Sequence, residues 1–198
     1  VINGHVRGRY LDDKAFRPIL ECVNKLNAPI YIHPTAPPQP VIDAYYKGFS
    51  PAIDNMLMHA GWGWHIETAV HIIRMIVGGV FDEYPDLQII IGHMGEALPF
   101  MLQRMDKTLS AKLTGLRHSA AYYLRNNVHY TFSGFNYTSN FLTLLMEVGV
   151  DRIMFSADYP YSSMKEARMF LDKLPVSDVD RERIASGNAK RLLKLDTL

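Results

Sequence analysis

The chain has 198 residues, the length of one large domain, and 48% of them are hydrophobic, which is enough for a sizeable buried core. Its 21 Lys and Arg against 20 Asp and Glu give a formal net charge of +1, so charge gives no reason to expect nucleic acid or an anionic membrane as a partner. These numbers exclude a disordered chain and a strongly basic binding module, and they favour a small molecule as the partner.

Helix and strand patterns alternate along the chain. Residues 1–4 look like the end of a strand, and short apolar runs predict full strands over residues 29–33, 88–92, 128–133 and 152–156. Apolar spacings of three, four and seven predict helices over residues 12–27, 64–80, 97–109, 119–126 and 140–148, before two or three short helices at the end. The proline-rich residues 34–40 are predicted as a loop.

This alternation predicts a parallel α/β sheet that is covered on both faces. A doubly wound sheet and a TIM-like (β/α)8 barrel both satisfy it, and periodicity does not separate them. A complete barrel has eight strands in about 250 residues, whereas this chain has four full strands and a stub. If the fold is a barrel, the chain supplies about its second half, as a single domain over residues 1–198.

The cysteine content and the apolar runs bear on the compartment. Cys22 is the single cysteine, which excludes an internal disulfide framework and suits a reducing compartment. No apolar run approaches the roughly 18 residues of a membrane span, and residues 1–13 lack the features of a signal peptide. We therefore expect a cytoplasmic protein.

Three of the four full strands end on a side chain that can bind a metal or move a proton. These are His33, His93 and Asp158, and the fourth strand ends on Ser133-Gly134. The carboxyl ends of parallel strands gather on one face, so we expect these residues to converge. Each alone is as consistent with a structural role, but two imidazoles and a carboxylate together suit a divalent ion such as zinc or manganese.

Other polar and aromatic residues have two interpretations each. His65 and His71 lie on poorly matched faces of one predicted helix, so we interpret them as packing or surface residues. Trp62 and Trp64 could line a pocket for a planar substrate or pack in the core. Arg104 could make a bidentate contact to a carboxylate or be exposed or ion-paired. The chain has no phosphate loop, dinucleotide fingerprint or serine-hydrolase elbow.

Six segments, spread over nearly the whole chain, together form a recognisable pattern. They are IYIHP at 30–34, ETAVH at 67–71, GGVFDEYP at 78–85, IGHMGE at 91–96, FSADYP at 155–160 and GNA at 187–189. The pattern resembles the amidohydrolase superfamily, and within it the metal-dependent branch that includes aminocarboxymuconate semialdehyde and γ-resorcylate decarboxylases.

The resemblance implies a distorted (β/α)8 barrel, of which the chain supplies strands four to eight. In such a barrel His33 and Asp158 would bind one divalent metal ion, zinc or manganese, and His93 would be the acid/base group beside it. Glu96 would orient His93, and Arg104 would help to hold a substrate carboxylate.

The family's first-strand motif, Glu or His, one residue, then His, is absent from the chain. His5 is the only loose candidate, and its position matches the fourth strand. By family analogy we expect roughly a hundred more residues upstream, or an association that covers the fragment. A half-barrel alone would expose strand edges and apolar faces.

Three functions follow from these observations. The leading hypothesis is nonoxidative decarboxylation of a small aromatic or unsaturated carboxylic acid, in which Asp158 or His93 delivers the proton to carbon. The second is hydrolysis of an amide or lactone by metal-activated water. The third is an inactive half-barrel that acts through assembly with a partner. A homo-oligomer is expected by analogy, and no nucleic acid or membrane partner is expected.

Overall fold

The computed structural model describes residues 1–195, and its centre is one parallel sheet of five strands in the sequential order β1-β2-β3-β4-β5. A doubly wound sheet reverses its strand order, whereas a barrel wall does not. The sheet therefore has the order of a barrel segment, with the predicted stub and four full strands. The strands are β1 (Ile2–Asn3), β2 (Ile30–His33), β3 (Ile89–Ile91), β4 (Val128–Thr131) and β5 (Ile153–Met154).

Helices connect the strands. The α-helices are α1 (Arg17–Leu26), α2 (Gln39–Tyr45), α3 (Pro51–Met58), α4 (Gly63–Val77), α5 (Val80–Glu83), α6 (Leu98–Thr108), α7 (Ala111–Thr114), α8 (Ala120–Asn126), α9 (Thr138–Val148), α10 (Met164–Asp172), α11 (Asp178–Glu182) and α12 (Asn188–Leu193). Short 3-10 turns occupy Lys14–Phe16, His93–Gly95 and Val150–Arg152, and a π-helix occupies Arg183–Gly187. Over residues 1–195, no helix combines the length and apolar character that a membrane crossing requires.

The predicted helices α6, α8 and α9 begin and end within two residues of the predicted bounds. The helix predicted over residues 64–80 ends at Val77, because Gly79 adopts a left-handed backbone with φ +72° and a second short helix follows it. Strand β5 is shorter than predicted, since the Phe155 N–H donates to the Ile184 carbonyl of the π-helix and leaves the sheet ladder.

Helix α2 corrects the end of the loop predicted over residues 34–40, and α3 lies where the sequence analysis predicted no element. Each has a proline in its first turn, Pro40 in α2 and Pro51 in α3. The N–H that proline lacks has no partner inside a helix at that position, and the fixed φ of proline suits the first turn. Both prolines therefore lie at the beginning of a helix, whereas the sequence interpretation placed Pro40 in a loop.

The hydrophobic core lies between the sheet and its helices. Ile32, Ile89 and Ile91 of the strands are fully buried together with Ile72 and Met75 of α4. Alternate strand residues point to opposite faces, so their neighbours in sequence face the concave side of the sheet.

That concave face does not show the exposed apolar surface expected of a half-barrel. Its apolar residues Ile90 and Met154 are only 7% and 4% exposed. Much of the face is polar, since His129, Thr131 and Ser133 of the β4 segment also point there. The expectation of free strand edges holds, because β1 pairs only with β2 and β5 only with β4 in the described residues.

Candidate metal and acid-base site

His33, His93 and Asp158 line one pocket of about 390 Å³ at the carboxyl ends of the strands. His33 ends β2, His93 follows β3 by two residues, and Asp158 follows β5 by four. Parallel pairing from β2 to β5 places these ends at one edge of the sheet, which is why residues far apart in sequence meet. The convergence expected from the sequence is present.

His33 and Asp158 have the donor chemistry that a divalent cation needs. His33 Nδ1 lies 2.9 Å from the Pro34 carbonyl oxygen, which only accepts, so Nδ1 carries the proton and Nε2 keeps its lone pair. Metal-binding histidines use this arrangement. No side chain within residues 1–195 donates a hydrogen bond to the Asp158 carboxylate. His33 and Asp158 are thus one potential nitrogen ligand and one potential carboxylate ligand, fewer than the three protein ligands of a catalytic zinc site.

Glu96 joins two histidines that line the same pocket, His65 and His93. Its side chain is fully buried, with Oε1 2.7 Å from His93 Nδ1 and Oε2 2.6 Å from His65 Nδ1. The contact expected between Glu96 and His93 is present. Because Nδ1 of His93 donates to Glu96, Nε2 is the nitrogen of His93 left for chemistry in the pocket.

His65 corrects the sequence analysis, which placed it among packing or surface residues. It lies in the first turn of α4, close to the strand ends, and its ring centroid is 4.7 Å from that of His93. From the sequence, His65 was compared only with His71 on the same helix. Its actual partners are His93 and Glu96, at the 3-10 turn after β3. His71 does pack as expected, since it is buried and accepts the Leu11 N–H.

His65, His93 and Glu96 are also a group of potential metal ligands whose ligand atoms lie within 4.8 Å of one another. Two ligands of one tetrahedral zinc, each about 2.0–2.1 Å from it, would be about 3.3 Å apart. The N···O separations of 2.6 and 2.7 Å are those of charge-assisted hydrogen bonds. We therefore interpret the group as a hydrogen-bonded triad.

The backbone around the site is unusually often left-handed. A positive φ costs a non-glycine residue about 1–3 kcal/mol and persists only where the surroundings impose it. Residues with φ between 45° and 64° cluster at the ends of β3, β4 and β5, namely His93, Met94, Glu96, Ala97, Ser133 and Asp158. These left-handed conformations therefore reduce the stability of the fold while they set the direction of these side chains.

A group of hydroxyls, which we call the hydroxyl cluster, lies next to the pocket on the concave face. Its members are Tyr31, Thr131, Ser133 and Ser156, with hydroxyl separations of 2.9 to 3.2 Å. Gly92 makes room for it, because a Cβ there would lie 2.9 Å from Ser133 Oγ. Sequence analysis missed the cluster, although Thr131 and Ser133 are two residues apart and so share one face of β4.

The structure separates the other predicted substrate-binding residues. Trp64 lines the pocket with His33 and Asp158, and its ring lies 6.4 Å from that of His33. Trp62, 52% exposed, lines an adjoining pocket of about 520 Å³ that shares the His93 wall. Arg104 is exposed on the solvent side of α6, while Leu102 and Met105 of that helix face the core, and it lines neither pocket.

Both the sequence and the fold of the chain match known proteins. A sequence model of the family described as "Amidohydrolase" matches residues 2–195. The chain belongs to the amidohydrolase family. Within that family it is similar to a gamma-resorcylate decarboxylase from Rhizobium sp., with 37% identity over 191 residues, which are 94% of this chain and 57% of that protein.

Two solved amidohydrolase-family structures extend the comparison. A 5-carboxyvanillate decarboxylase from Sphingomonas paucimobilis superimposes with a TM-score of 0.88 at 33% identity, over 98% of this chain and 57% of that one. A dihydroxybenzoic acid decarboxylase from Polaromonas sp., with bound manganese and the inhibitor 2-nitroresorcinol, gives 0.87 at 33% identity, over 95% and 56%. The chain spans less than two thirds of the length of these relatives.

These matches confirm the predicted fold, since the five strands form part of an amidohydrolase (β/α)8 barrel. His5, the loose candidate for a first-strand ligand, is held by the backbone around it. His5 follows β1, its Nε2 donates to the Ala36 carbonyl and its Nδ1 accepts the Gly8 N–H. Both ring nitrogens are therefore committed to the local backbone.

Proposed function

We propose that this amidohydrolase-family chain carries the proton-transfer group and two metal ligands of a nonoxidative decarboxylase for a small aromatic or unsaturated carboxylic acid. The observation that supports this most is His93, fixed by Glu96 through Nδ1, in the pocket that His33 and Asp158 line. The relatives named above are decarboxylases of gamma-resorcylate, carboxyvanillate and dihydroxybenzoic acid.

The metal part of the proposal rests on the donor set. His33 Nε2 and the Asp158 carboxylate would hold one zinc or manganese ion, and one relative is described with manganese. A bound divalent ion supplies a positive charge that orients the substrate carboxylate and a neighbouring oxygen and stabilises negative charge on them.

His93 would supply the proton that replaces the lost carboxylate. Protonated at Nε2, it donates that proton to the ring carbon bearing the carboxylate; the carbon–carbon bond then breaks, its electron pair restores the aromatic ring, and carbon dioxide leaves. One proton is consumed per carbon dioxide released, and His93 regains it from solvent. Asp158 is the alternative proton donor.

The pocket walls fit a planar substrate. Trp64 and Phe135 line the pocket with the catalytic groups, and the Phe135 ring makes edge contacts to both His65 and His93. A cavity of about 390 Å³ lies within the usual range for small-molecule sites. An aromatic ring between these walls would present its carboxylate towards His33 and Asp158.

The net charge, the cysteine and the exposed apolar side chains bear on the partners and the compartment of the protein. The net charge of +1 favours a small molecule over nucleic acid or a membrane as the partner. Cys22 is free and exposed, which suits the reducing cytoplasm. Phe100 and Met146, 82% and 85% exposed, are apolar side chains that a homo-oligomer would cover. Light scattering measures that oligomeric state.

The test of the proposal is a substrate panel. The purified protein that contains this chain, supplied with Mn²⁺ or Zn²⁺, is incubated with hydroxybenzoates, unsaturated carboxylic acids, aryl amides and lactones, and products are identified by chromatography. We expect carbon dioxide and the decarboxylated product from at least one acid, and loss of turnover in H93N. Hydrolysis of a lactone or amide without any decarboxylation would establish the rival reaction. If none of these compounds is turned over, the result favours the inactive half-barrel.

A further inference from the structure

Three polar side chains, which we call the Arg152 cluster, lie at the amino ends of β3, β4 and β5, whereas the pocket lies at the carboxyl ends of the strands. The members of the cluster are Gln88, His129 and Arg152. Gln88 directly precedes β3, His129 is the second residue of β4, and Arg152 ends the 3-10 turn before β5. Each lies two residues before a concave-face residue of its strand, so all three belong to the concave face. The proposed mechanism does not use them.

The hydrogen bonds of Arg152 leave one edge of its guanidinium without a partner. Nη1 donates to Gln88 Oε1 at 2.9 Å and to His129 Nε2 at 3.1 Å. Within residues 1–195, Nε and Nη2 of Arg152 make no hydrogen bond. These two groups form the edge whose parallel N–H bonds match the two oxygens of a carboxylate.

The charge of Arg152 also lacks a counter-charge. In the described part of the chain no Asp or Glu pairs with Arg152, and the adjacent Asp151 lies 3.9 Å from both Arg183 and Arg191 instead. Burial, with the charges of Arg152 and Arg191, lowers the pKa of His129 to about 3, so the ring is neutral. Burial lowers the pKa of Arg152 as well. A partly buried charge beside neutral acceptors alone is costly.

His129 shows the same excess of hydrogen-bond donors. A guanidinium only donates, so His129 accepts at Nε2 and carries its proton on Nδ1. The residue is 5% exposed, and its Nδ1 is buried without a hydrogen-bond partner among residues 1–195. Buried polar groups are nearly always paired. The Arg152 cluster therefore has more donors than acceptors and a positive charge that is not balanced.

We propose that the Arg152 cluster is a carboxylate-binding site, in which Nε and Nη2 of Arg152 donate side by side to the two carboxylate oxygens. Gln88 and His129 hold the guanidinium from its other side, so the binding edge is oriented before the ligand arrives. One guanidinium balances the single charge of a carboxylate, whereas a phosphate dianion would exceed it.

The carboxylate belongs either to a small free acid or to an Asp or Glu side chain of polypeptide that covers the concave face. The chemistry of the site is the same for both sources, and the experiment below separates them. The site lies at the opposite ends of the strands from His93, so it does not rest on the proposed function.

Acetate is the probe for a free acid, and acetamide, which has the same shape without the charge, is the control ligand. We expect acetate to bind with a dissociation constant on the order of 1–10 mM, because so small a ligand makes few contacts. At about ten times that concentration it shifts the folding equilibrium about elevenfold towards the folded state. For a chain of this length, that shift corresponds to a rise in Tm of about 3–6 °C.

The experiment follows the Nε–H signal of Arg152 by ¹⁵N NMR, assigned with R152Q, while acetate or acetamide is added to the protein at constant ionic strength. Thermal melts are measured in parallel. For a free acid we expect acetate, but not acetamide, to move the signal, and to raise Tm in the wild type and in R168Q but not in R152Q. Arg168 is the matched control, since its side chain is 70% exposed and pairs with Asp172.

For a covering side chain we expect a different pattern in the same samples. The Nε–H of Arg152 should be protected from exchange with water before any ligand is added. Acetate should then change nothing, and Tm should fall in R152Q while it stays the same in R168Q, because removal of Arg152 leaves the covering carboxylate unpaired.

Two results would overturn the proposal. One is an Nε–H of Arg152 that exchanges freely with water and does not respond to acetate. The other is a Tm that acetate raises equally in the wild type and in R152Q, because the effect would then belong to the whole protein surface. If R152Q does not fold, R152K, which keeps the charge, supplies the assignment, and the wild-type titration decides.

Discussion

Replacement of Glu96 by glutamine tests the triad through protein stability. In E96Q the side chain keeps its shape but loses its charge, and its carbonyl can accept from one histidine while its NH2 group faces the Nδ1–H of the other. Hydrogen bonds to charged groups contribute about 1.5–3 kcal/mol, and breaking a buried ion pair costs about 3–5 kcal/mol. His65 can release its proton in response, so we expect a loss of about 3 kcal/mol near neutral pH.

The loss of stability in E96Q depends on pH. The folded-state pKa of His65 is raised above its ordinary value of 6.5. The stability from its pairing with Glu96 is therefore fully present below pH 6.5 and is lost as pH rises through the folded-state pKa. We expect the deficit of E96Q to be larger at pH 5.5 than at pH 8.5.

Urea unfolding at the two pH values, with thermal melts, measures this deficit. For a chain of this length, 3 kcal/mol corresponds to a fall in Tm of roughly 6–12 °C. The control is E83Q, since Glu83 pairs with Arg17 and its side chain is 45% exposed, so less than about 1 kcal/mol is expected. An E96Q variant as stable as E83Q, or one whose deficit does not change with pH, would refute the account of the triad.

Three further substitutions test other parts of the structure. Burial lowers the pKa of His71 to about 4, so the folded chain resists a proton that the unfolded chain takes up below pH 6.5. H71Q keeps an acceptor for the Leu11 N–H, and between pH 7 and pH 4.5 its free energy of unfolding in urea should fall by roughly 2–3 kcal/mol less than that of the wild type. Equal losses would contradict the buried neutral state. G92A places a Cβ 2.9 Å from Ser133 Oγ and 3.1 Å from the Tyr31 hydroxyl, at an ordinary φ of −87°. Overpacking should therefore destabilise the variant by about 1–3 kcal/mol. An unchanged unfolding midpoint would show that the hydroxyl cluster moves aside at no cost. Asn188 is fully buried and donates to the Val150 and Ile153 carbonyls. The free energy of unfolding of N188A, measured by calorimetry, should therefore be lower by about 2–4 kcal/mol. A loss below about 1 kcal/mol would mean that water replaces the amide.

Much of the fold could be predicted from apolar patterns. The runs at Ile30–His33 and Ile89–Ile91 are short, β-branched and bounded by proline or glycine, so they specify buried parallel strands. The choice between a doubly wound sheet and a barrel required the strand order, which no local pattern contains. Helix α2 was missed because a proline looks the same in a loop as in a first helical turn.

The candidate site was predictable where it depends on strand ends and not where it depends on packing between elements. His33, His93 and Asp158 follow strands, so parallel pairing brings them together. His65 belongs to α4, and its contact with Glu96 depends on how that helix lies across the strand ends. Arg104 shows the reverse case, because its distance from His93 in sequence does not reveal that its helix turns it towards solvent.

The central claim is that His93 delivers a proton to carbon in a decarboxylation. Deuterium incorporation tests this claim most directly. The protein is incubated in D₂O with Mn²⁺ and 2,6-dihydroxybenzoate, or with the best substrate of the panel, and the product is analysed by NMR. The account predicts one deuterium at the carbon that carried the carboxylate, with turnover reduced at least about a hundredfold in H93Q and unchanged in H118N. Deuterated product formed by H93Q at the wild-type rate would contradict it.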